Sequence, residues 1–233
     1  MMGFKDLDRI SMIQFHQSYS YEDFIMGYRP TQQGFDLKKG SFYNFCKKAE
    51  VDSENEYFFI IDEINRGNLS KIFGEVFMLI ENDKRDLGIK LLYSEEKFFV
   101  PNNLYIIGTM NTADRSLAML DYALRRRFAF YEIKPAFENE RFKSYQNDLD
   151  NNKFNKLIDS LIKLNNEIKN DDSLGEGFFI GHSYFTNYES IYLDDNLLNS
   201  IIEFEIIPLL KEYWFDEPDL VENRSNILRS AIK

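Results

Sequence analysis

The sequence is poor in the residues that disulfide frameworks and metal cages need. A single cysteine, Cys46, excludes an internal disulfide and a cysteine-rich zinc site. Two histidines, His16 and His182, argue against a histidine-ligated metal centre. Positive charge is in deficit: 28 Lys and Arg against 39 Asp and Glu leave a net charge of −11. A chain this acidic does not coat nucleic acid by itself, so any DNA contact must come from a local basic surface, another domain or a partner. No apolar run reaches the ~18 residues of a membrane span, and the start carries no secretory pattern. The expected compartment is the cytoplasm, with no membrane partner. There is no internal repeat or low-complexity tract. What is abundant is aromatic: 22 Phe and 14 Tyr in 233 residues, material for the core of one large domain or two small ones.

Along the chain, residues 11–15 read as a short buried strand and residues 20–27 as a short helix opened by Ser20. Pro30, Gly34 and Gly40 mark Tyr28 to Gly40 as a loop or small hairpin, and helical spacing resumes over 41–50. Tyr57 to Ile61 is a continuous apolar run, expected of a strand buried on both faces in a parallel sheet. It ends abruptly in Asp62-Glu63. A helix is expected from near Asn68, with Leu69, Ile72, Phe73, Val76, Phe77 and Ile80 on one wide face. Residues 89–100 form two apolar runs around Ser94-Glu95-Glu96, a hairpin signature. Residues 104–109 predict a second buried strand, again ending in polar residues, followed by a helix over Ser116 to Leu124 and a third strand over 128–133. This alternation predicts an α/β fold with a largely parallel sheet. After Lys134-Pro135 the pattern turns helical. The expected organisation is an α/β core over 1–135 and a helical subdomain over 136–233.

In parallel sheets, ligands bind beyond the carboxyl ends of the strands. An apolar strand ending in Asp-Glu is the Walker B pattern, in which the Asp holds Mg²⁺, mostly through water, and the Glu orients the attacking water. Asp62 and Glu63 occupy those positions, and Asn111, at a neighbouring tip, can hold the same water. Taken alone, Asp-Glu is equally consistent with a capped or solvated strand end.

The stretch Phe59 to Arg66, with Asn68 to Lys71 and Phe73 to Val76, resembles the Walker B region of McrB-type AAA+ proteins. Met110 to Ser116 is similar to their signature loop, and Ala123 to Phe128 to their arginine-finger region. Gln14 to Ile25 and Gly181 to Phe185 match as well, so the likeness runs from about Ile10 to Pro218. It implies an AAA+ P-loop NTPase-type parallel sheet followed by a small helical lid. It implies a GTP-hydrolysing motor of a modification-dependent restriction system, forming rings, usually hexamers, and recruiting an McrC-type endonuclease. DNA would be read by a separate module. Mg²⁺ and GTP are the implied cofactors, and ATP stays open because base choice is not legible in these residues. Asp62 is the implied metal residue, with Asp114 and Arg115 near the nucleotide. Glu63, Asn111, Arg126 and Arg127 are the implied catalytic set, the two arginines acting on a neighbouring subunit.

One part of the family pattern is missing. No GxxxxGKS or GxxxxGKT occurs; Gly34 to Gly40-Ser41 is one residue too long, and no Lys follows Gly40. The backbone cradle and the Lys that neutralise the β- and γ-phosphates are therefore absent, as is the preceding strand, which in this family lies between 104–109 and 128–133. The simplest account is the C-terminal part of a longer protein, inactive alone. The alternative is an assembly subunit without a phosphate loop that completes the site of an intact neighbour in a ring.

Other candidates have plain readings beside the functional ones. Arg125 to Arg127 also suit a solvated helix end, and Asp114 a capping turn. His182 is as consistent with a hydrogen-bonded core histidine as with a site residue, and His16 reads as structural. The aromatic segment 15–28 is more often core than pore lining. Glu95-Glu96-Lys97 has a nuclease-like shape but lacks its acidic partner, and reads as hairpin.

Overall fold

The apolar runs of the first half become three parallel strands, and the segments between them cover one face of the resulting sheet. The computed structural model describes residues 7–111, 113, 125–189 and 193–233. In chain order the first half contains β1 (Ile10–Gln14), the one-turn helix α1 (Tyr21–Phe24), the antiparallel pair β2 (Met26–Thr31) and β3 (Gly34–Lys39), and helix α2 (Ser41–Val51). Then follow β4 (Tyr57–Asp62), α3 (Leu69–Phe73), the hairpin β5 (Ile89–Leu91) and β6 (Ser94–Phe98), and β7 (Leu104–Gly108). The main sheet has the order β1-β4-β7, all parallel.

β4, a continuous apolar run, lies in the middle of the described sheet. Phe59 and Ile61 on its covered face are wholly buried. Against them pack Phe24 of α1, Phe42 of α2 and Phe73 of α3; Phe24 stacks on Phe42 at 4.7 Å and meets Phe73 edge-on at 4.7 Å. Phe15, Tyr21, Phe24, Ile25 and Met26 are all buried, so most of the aromatic segment 15–28 belongs to this core. Cys46 is buried here too, and desolvation pushes its thiol well up, leaving it inert.

Several expectations are corrected. β1 is an edge strand of the described sheet, with Met12 63% exposed, rather than a buried one. The long helix expected from Asn68 starts there, capped by the Asn68 side chain on the Lys71 N–H, but its α-helical part ends at Phe73. Gly74 adopts φ +53°, where the Tyr21 ring leaves a Cβ only 2.9 Å, and the rest is 3₁₀ to Ile80. The turn of the β5–β6 hairpin falls at Leu92-Tyr93, not at Ser94 to Glu96. Tertiary contacts move it: the Leu92 N–H donates to Glu75 Oε1 at 2.8 Å, and the Tyr93 ring packs edge-on against Tyr21 and Tyr28. Glu95 and Glu96 lie in β6, where they pair with Lys90 and Lys39. Residues 128–133 are not a strand. No described strand lies beside them to take their backbone groups, and Tyr131 and Ile133 are 90% and 84% exposed. The helix expected over Ser116 to Leu124 lies outside the described residues.

The chain divides into two compact units between Phe130 and Tyr131. The second unit is helical: α4 (Glu140–Leu149), α5 (Asn152–Asn170), α6 (Asp195–Ser200), α7 (Ile207–Tyr213) and α8 (Pro218–Ala231). A π-helical turn, Ile201–Ile206, joins α6 to α7. Pro208, which lacks an N–H, sits in the first turn of α7 and removes one α-helical bond at that junction. Phe154, Leu157, Leu161, Leu198, Ile202, Ile206 and Leu210 form a fully buried core. The Asn165 amide bonds both backbone groups of Ile180, at 3.0 Å and 2.8 Å, tying the segment after α5 to that core. Lys134 and Lys169 converge on Glu176 at 2.8 Å and 2.7 Å, holding its carboxyl down at about 2.

Candidate functional site

The carboxyl ends of β1, β4 and β7 form a polar row above an apolar sheet. Register creates it. Gln14 stands directly opposite Asp62, and Ile61 opposite Gly108, so Thr109, the next residue, arrives beside Asp62. Thr109 Oγ1 donates to Asp62 Oδ1 at 2.6 Å, and Gln14 Nε2 donates to Asp62 Oδ2 at 3.1 Å. Neither Gln14 nor Thr109 is among the residues expected to act. The signal that finds them is position: each is the polar residue at the exit of an apolar strand.

The chain turns sharply after Asp62. Glu63 adopts φ +53°, ψ +44°, a left-handed conformation uncommon for a residue with a side chain. The surroundings hold it there. The Thr109 N–H donates to Ile61 O and the Ile64 N–H to Thr109 O, both at 2.9 Å, while the Ile64 side chain is buried. Gly108 permits this approach, since a Cβ there would come within 2.7 Å of Ile64 Cδ1. Glu63 is thus set at the tip, its side chain 20% exposed and its carboxylate paired with Arg66 Nε at 3.1 Å.

Asn111 lies nearby on the segment after β7. Its Oδ1 accepts the Ala113 N–H at 3.0 Å, and its backbone carbonyl accepts the Asn65 amide at 3.4 Å. Asn111 can offer a ligand its Nδ2 donor and the second lone pair of its Oδ1. The structure thus brings Asp62, Glu63 and Asn111 to one end of one sheet. Asp114 and Arg115 lie outside the described residues.

The two arginines differ. Arg127 is held within its own unit: its Nη2 pairs with Glu81 at 2.7 Å, its Nε donates to the Phe77 carbonyl at 3.0 Å, and its guanidinium lies 4.4 Å over the Phe77 ring. Arg126 is exposed. In the helical unit, His182 Nδ1 accepts the Ala136 N–H at 3.0 Å and its ring meets Phe137 and Phe142 edge-on. These are structural contacts. Gly34 to Gly40 is occupied by β3 and forms no phosphate loop.

Asp62, part-exposed and with one neutral donor on each oxygen among the described residues, fits a cation that keeps most of its own water. A cage made by protein alone does not fit, since among the described residues no three His, Cys, Asp or Glu side chains converge. Among the described residues no helix is long and apolar enough to cross a membrane.

Both units of the chain resemble known proteins. Residues 6–128 match the family model of the AAA domain, dynein-related subfamily, and residues 156–222 that of the McrB alpha-helical lid domain. The type IV methyl-directed restriction enzyme EcoKMcrB subunit of Escherichia coli (strain K12) is 51% identical over 230 residues, covering 94% of this chain and 50% of that protein. The type II restriction enzyme BsuMI component YdiS of Bacillus subtilis (strain 168) is 27% identical over 194 residues, covering 73% of this chain and 55% of that protein. The chain thus spans about half the length of the curated relatives it matches. A solved structure from Cytophaga hutchinsonii shares 15% identity with a TM-score of 0.34, over 68% of this chain and 52% of that one, and no argument rests on so slight a likeness.

Proposed function

Because the chain belongs to the AAA family, dynein-related subfamily, and within it to the McrB type, we propose that its strand tips are the metal- and water-holding part of a nucleotide-hydrolysing motor in a modification-dependent DNA restriction system. The observation that carries this reading is the tip of β4, where Asp62 and the left-handed Glu63 stand beside Asn111. GTP is the expected nucleotide, with ATP the alternative. An oligomeric ring and an McrC-type endonuclease are the expected partners, and DNA contact comes through other domains or partners.

In this reading Asp62 holds Mg²⁺, which when bound supplies positive charge to the phosphoryl oxygens. Glu63 accepts the proton of the attacking water and aims it, once Arg66 yields its carboxylate. Asn111 Nδ2 steadies the same water from the adjacent tip. Arg126 and Arg127 act on the site of a neighbouring subunit; Arg126 is exposed, and Arg127 reaches that site only by leaving its Glu81 and Phe77 contacts. Asp114 and Arg115 serve the nucleotide or the subunit interface. Phosphate binding requires a loop that no stretch of these 233 residues supplies.

The test joins this chain to the part of the Escherichia coli relative that this chain does not match and measures nucleotide binding and turnover separately. Glu63→Gln is expected to bind nucleotide normally and turn it over at least ~10²-fold more slowly, and Asn111→Ala to behave alike. Asp62→Asn is expected to weaken Mg²⁺-dependent binding. Wild-type turnover in Glu63→Gln overturns the assignment.

A further inference from the structure

Asp62 is gripped on both sides by residues that carry no charge. The Thr109 hydroxyl donates to one carboxylate oxygen at 2.6 Å and the Gln14 amide to the other at 3.1 Å. The backbone beneath each donor is fixed by the sheet. Phe15 N–H, next to Gln14, bonds Asp62 O, and both the N–H and the C=O of Thr109 bond the chain on either side of Asp62 and Glu63, all at 2.9 Å. The guanidinium of this turn, Arg66, pairs with Glu63. The carboxylate is therefore immobilised while its negative charge stays uncompensated by these two partners. Among the described residues each oxygen accepts one hydrogen bond, which leaves a lone pair for another partner.

We propose that Gln14 and Thr109 are positioning residues that clamp the Asp62 carboxylate from its two neighbouring strands and hold it in the orientation that a divalent cation, directly or through its water, requires. The inference rests on the reading of Asp62 as the metal residue and adds the two side chains that make a single carboxylate sufficient. A lone carboxylate free to rotate must be ordered by the metal itself, which weakens binding. One ordered in advance by two donors on rigid strands does not carry that cost. Neutral donors suit this role, because a Lys or Arg in either place would compete with the cation.

The experiment uses the 233-residue chain and Mn²⁺ alone as the probe, read as paramagnetic broadening of amide resonances. In the wild type, broadening is expected at Asp62, Glu63 and Thr109, and Asp62→Asn is expected to abolish it. Thr109→Val and Gln14→Leu should each raise the Mn²⁺ Kd about tenfold, the lower end for lost outer partners of a metal ligand. Both residues are exposed, so neither change empties the core. Thr109→Ser, which keeps the hydroxyl, should restore binding, which a loss of mere strand stability would not predict. If Asp62→Asn abolishes broadening while Thr109→Val and Gln14→Leu bind Mn²⁺ as the wild type does, the clamp is wrong and the metal reading stands. The clamp is equally wrong if Thr109→Ser fails to restore binding. If the tips show no broadening, or Asp62→Asn leaves it unchanged, the metal reading falls and the clamp with it.

Discussion

The two units solve the problem of burial differently. In the helical unit, α5 and the helices from α6 to α8 surround a core whose large side chains, from Phe154 to Leu228, are at most a few per cent exposed. In the α/β unit, one face of the sheet is closed by the Phe24, Phe42 and Phe73 rings, and the described residues leave the other partly open. On that second face Met12, Ile60 and Ile107 lie in one cross-strand row, with Met12 63% and Ile107 46% exposed; Tyr105, in the next row, is 46% exposed. Helices satisfy their own backbone and need only a stripe of apolar contact. A parallel sheet needs neighbours on its edges and layers on both faces. The same difference sorts function: the closed unit carries polar groups that are paired internally, and the open unit ends in the polar row that the proposed chemistry uses.

The comparison is sharpest at a buried polar group. Asn165→Leu leaves the N–H and C=O of Ile180 buried without their partners, and is expected to destabilise the helical unit by about 2–4 kcal/mol. Trp214, the sole tryptophan, is buried in that unit with its indole N–H on Asp171 at 2.8 Å, so its fluorescence in urea reports this transition. A loss under ~0.5 kcal/mol would mean that water reaches Ile180 and the core is not closed. The smaller effect is expected on the open face. Ile107→Lys should change stability by no more than about 0.5 kcal/mol, judged by hydrogen exchange of the β4 amides, and should reduce aggregation. A loss of several kcal/mol would mean that the face is covered, and would break the comparison.

What the sequence made legible follows the same division of physics. The β4 run, the Asn68 cap and the helical spacing after Pro135 are local patterns, and each element appears where local pattern places it, although β4 is buried on one face rather than two and the β2–β3 hairpin starts at Met26, inside the helix expected over 20–27. The misses are places where tertiary contact overrides. Tyr21 against Gly74 ends the α3 helix early, Glu75 moves the hairpin turn to Leu92, and the segment 128–133, apolar enough for a strand, has no described strand to pair with. At the site, the placement of Asp62, Glu63 and Asn111 at or just beyond the strand ends was legible because apolar runs end there. Gln14 and Thr109 were not singled out, because their roles depend on strand register, which a single sequence does not state. The difference between Arg126 and Arg127 was hidden as well, since Glu81 and Phe77 lie far from them in sequence and meet Arg127 only in the fold.

The account's central claim is that these residues hold the metal- and water-handling groups of a nucleotide site but not its phosphate-binding groups. The most direct measurement is GTP and ATP turnover by the purified 233-residue chain, before and after the part of the Escherichia coli relative that this chain does not match is joined to it. The account predicts turnover near background for the chain alone and Mg²⁺-dependent turnover once that part is present. Robust turnover by the 233 residues alone, abolished by Glu63→Gln, would contradict it.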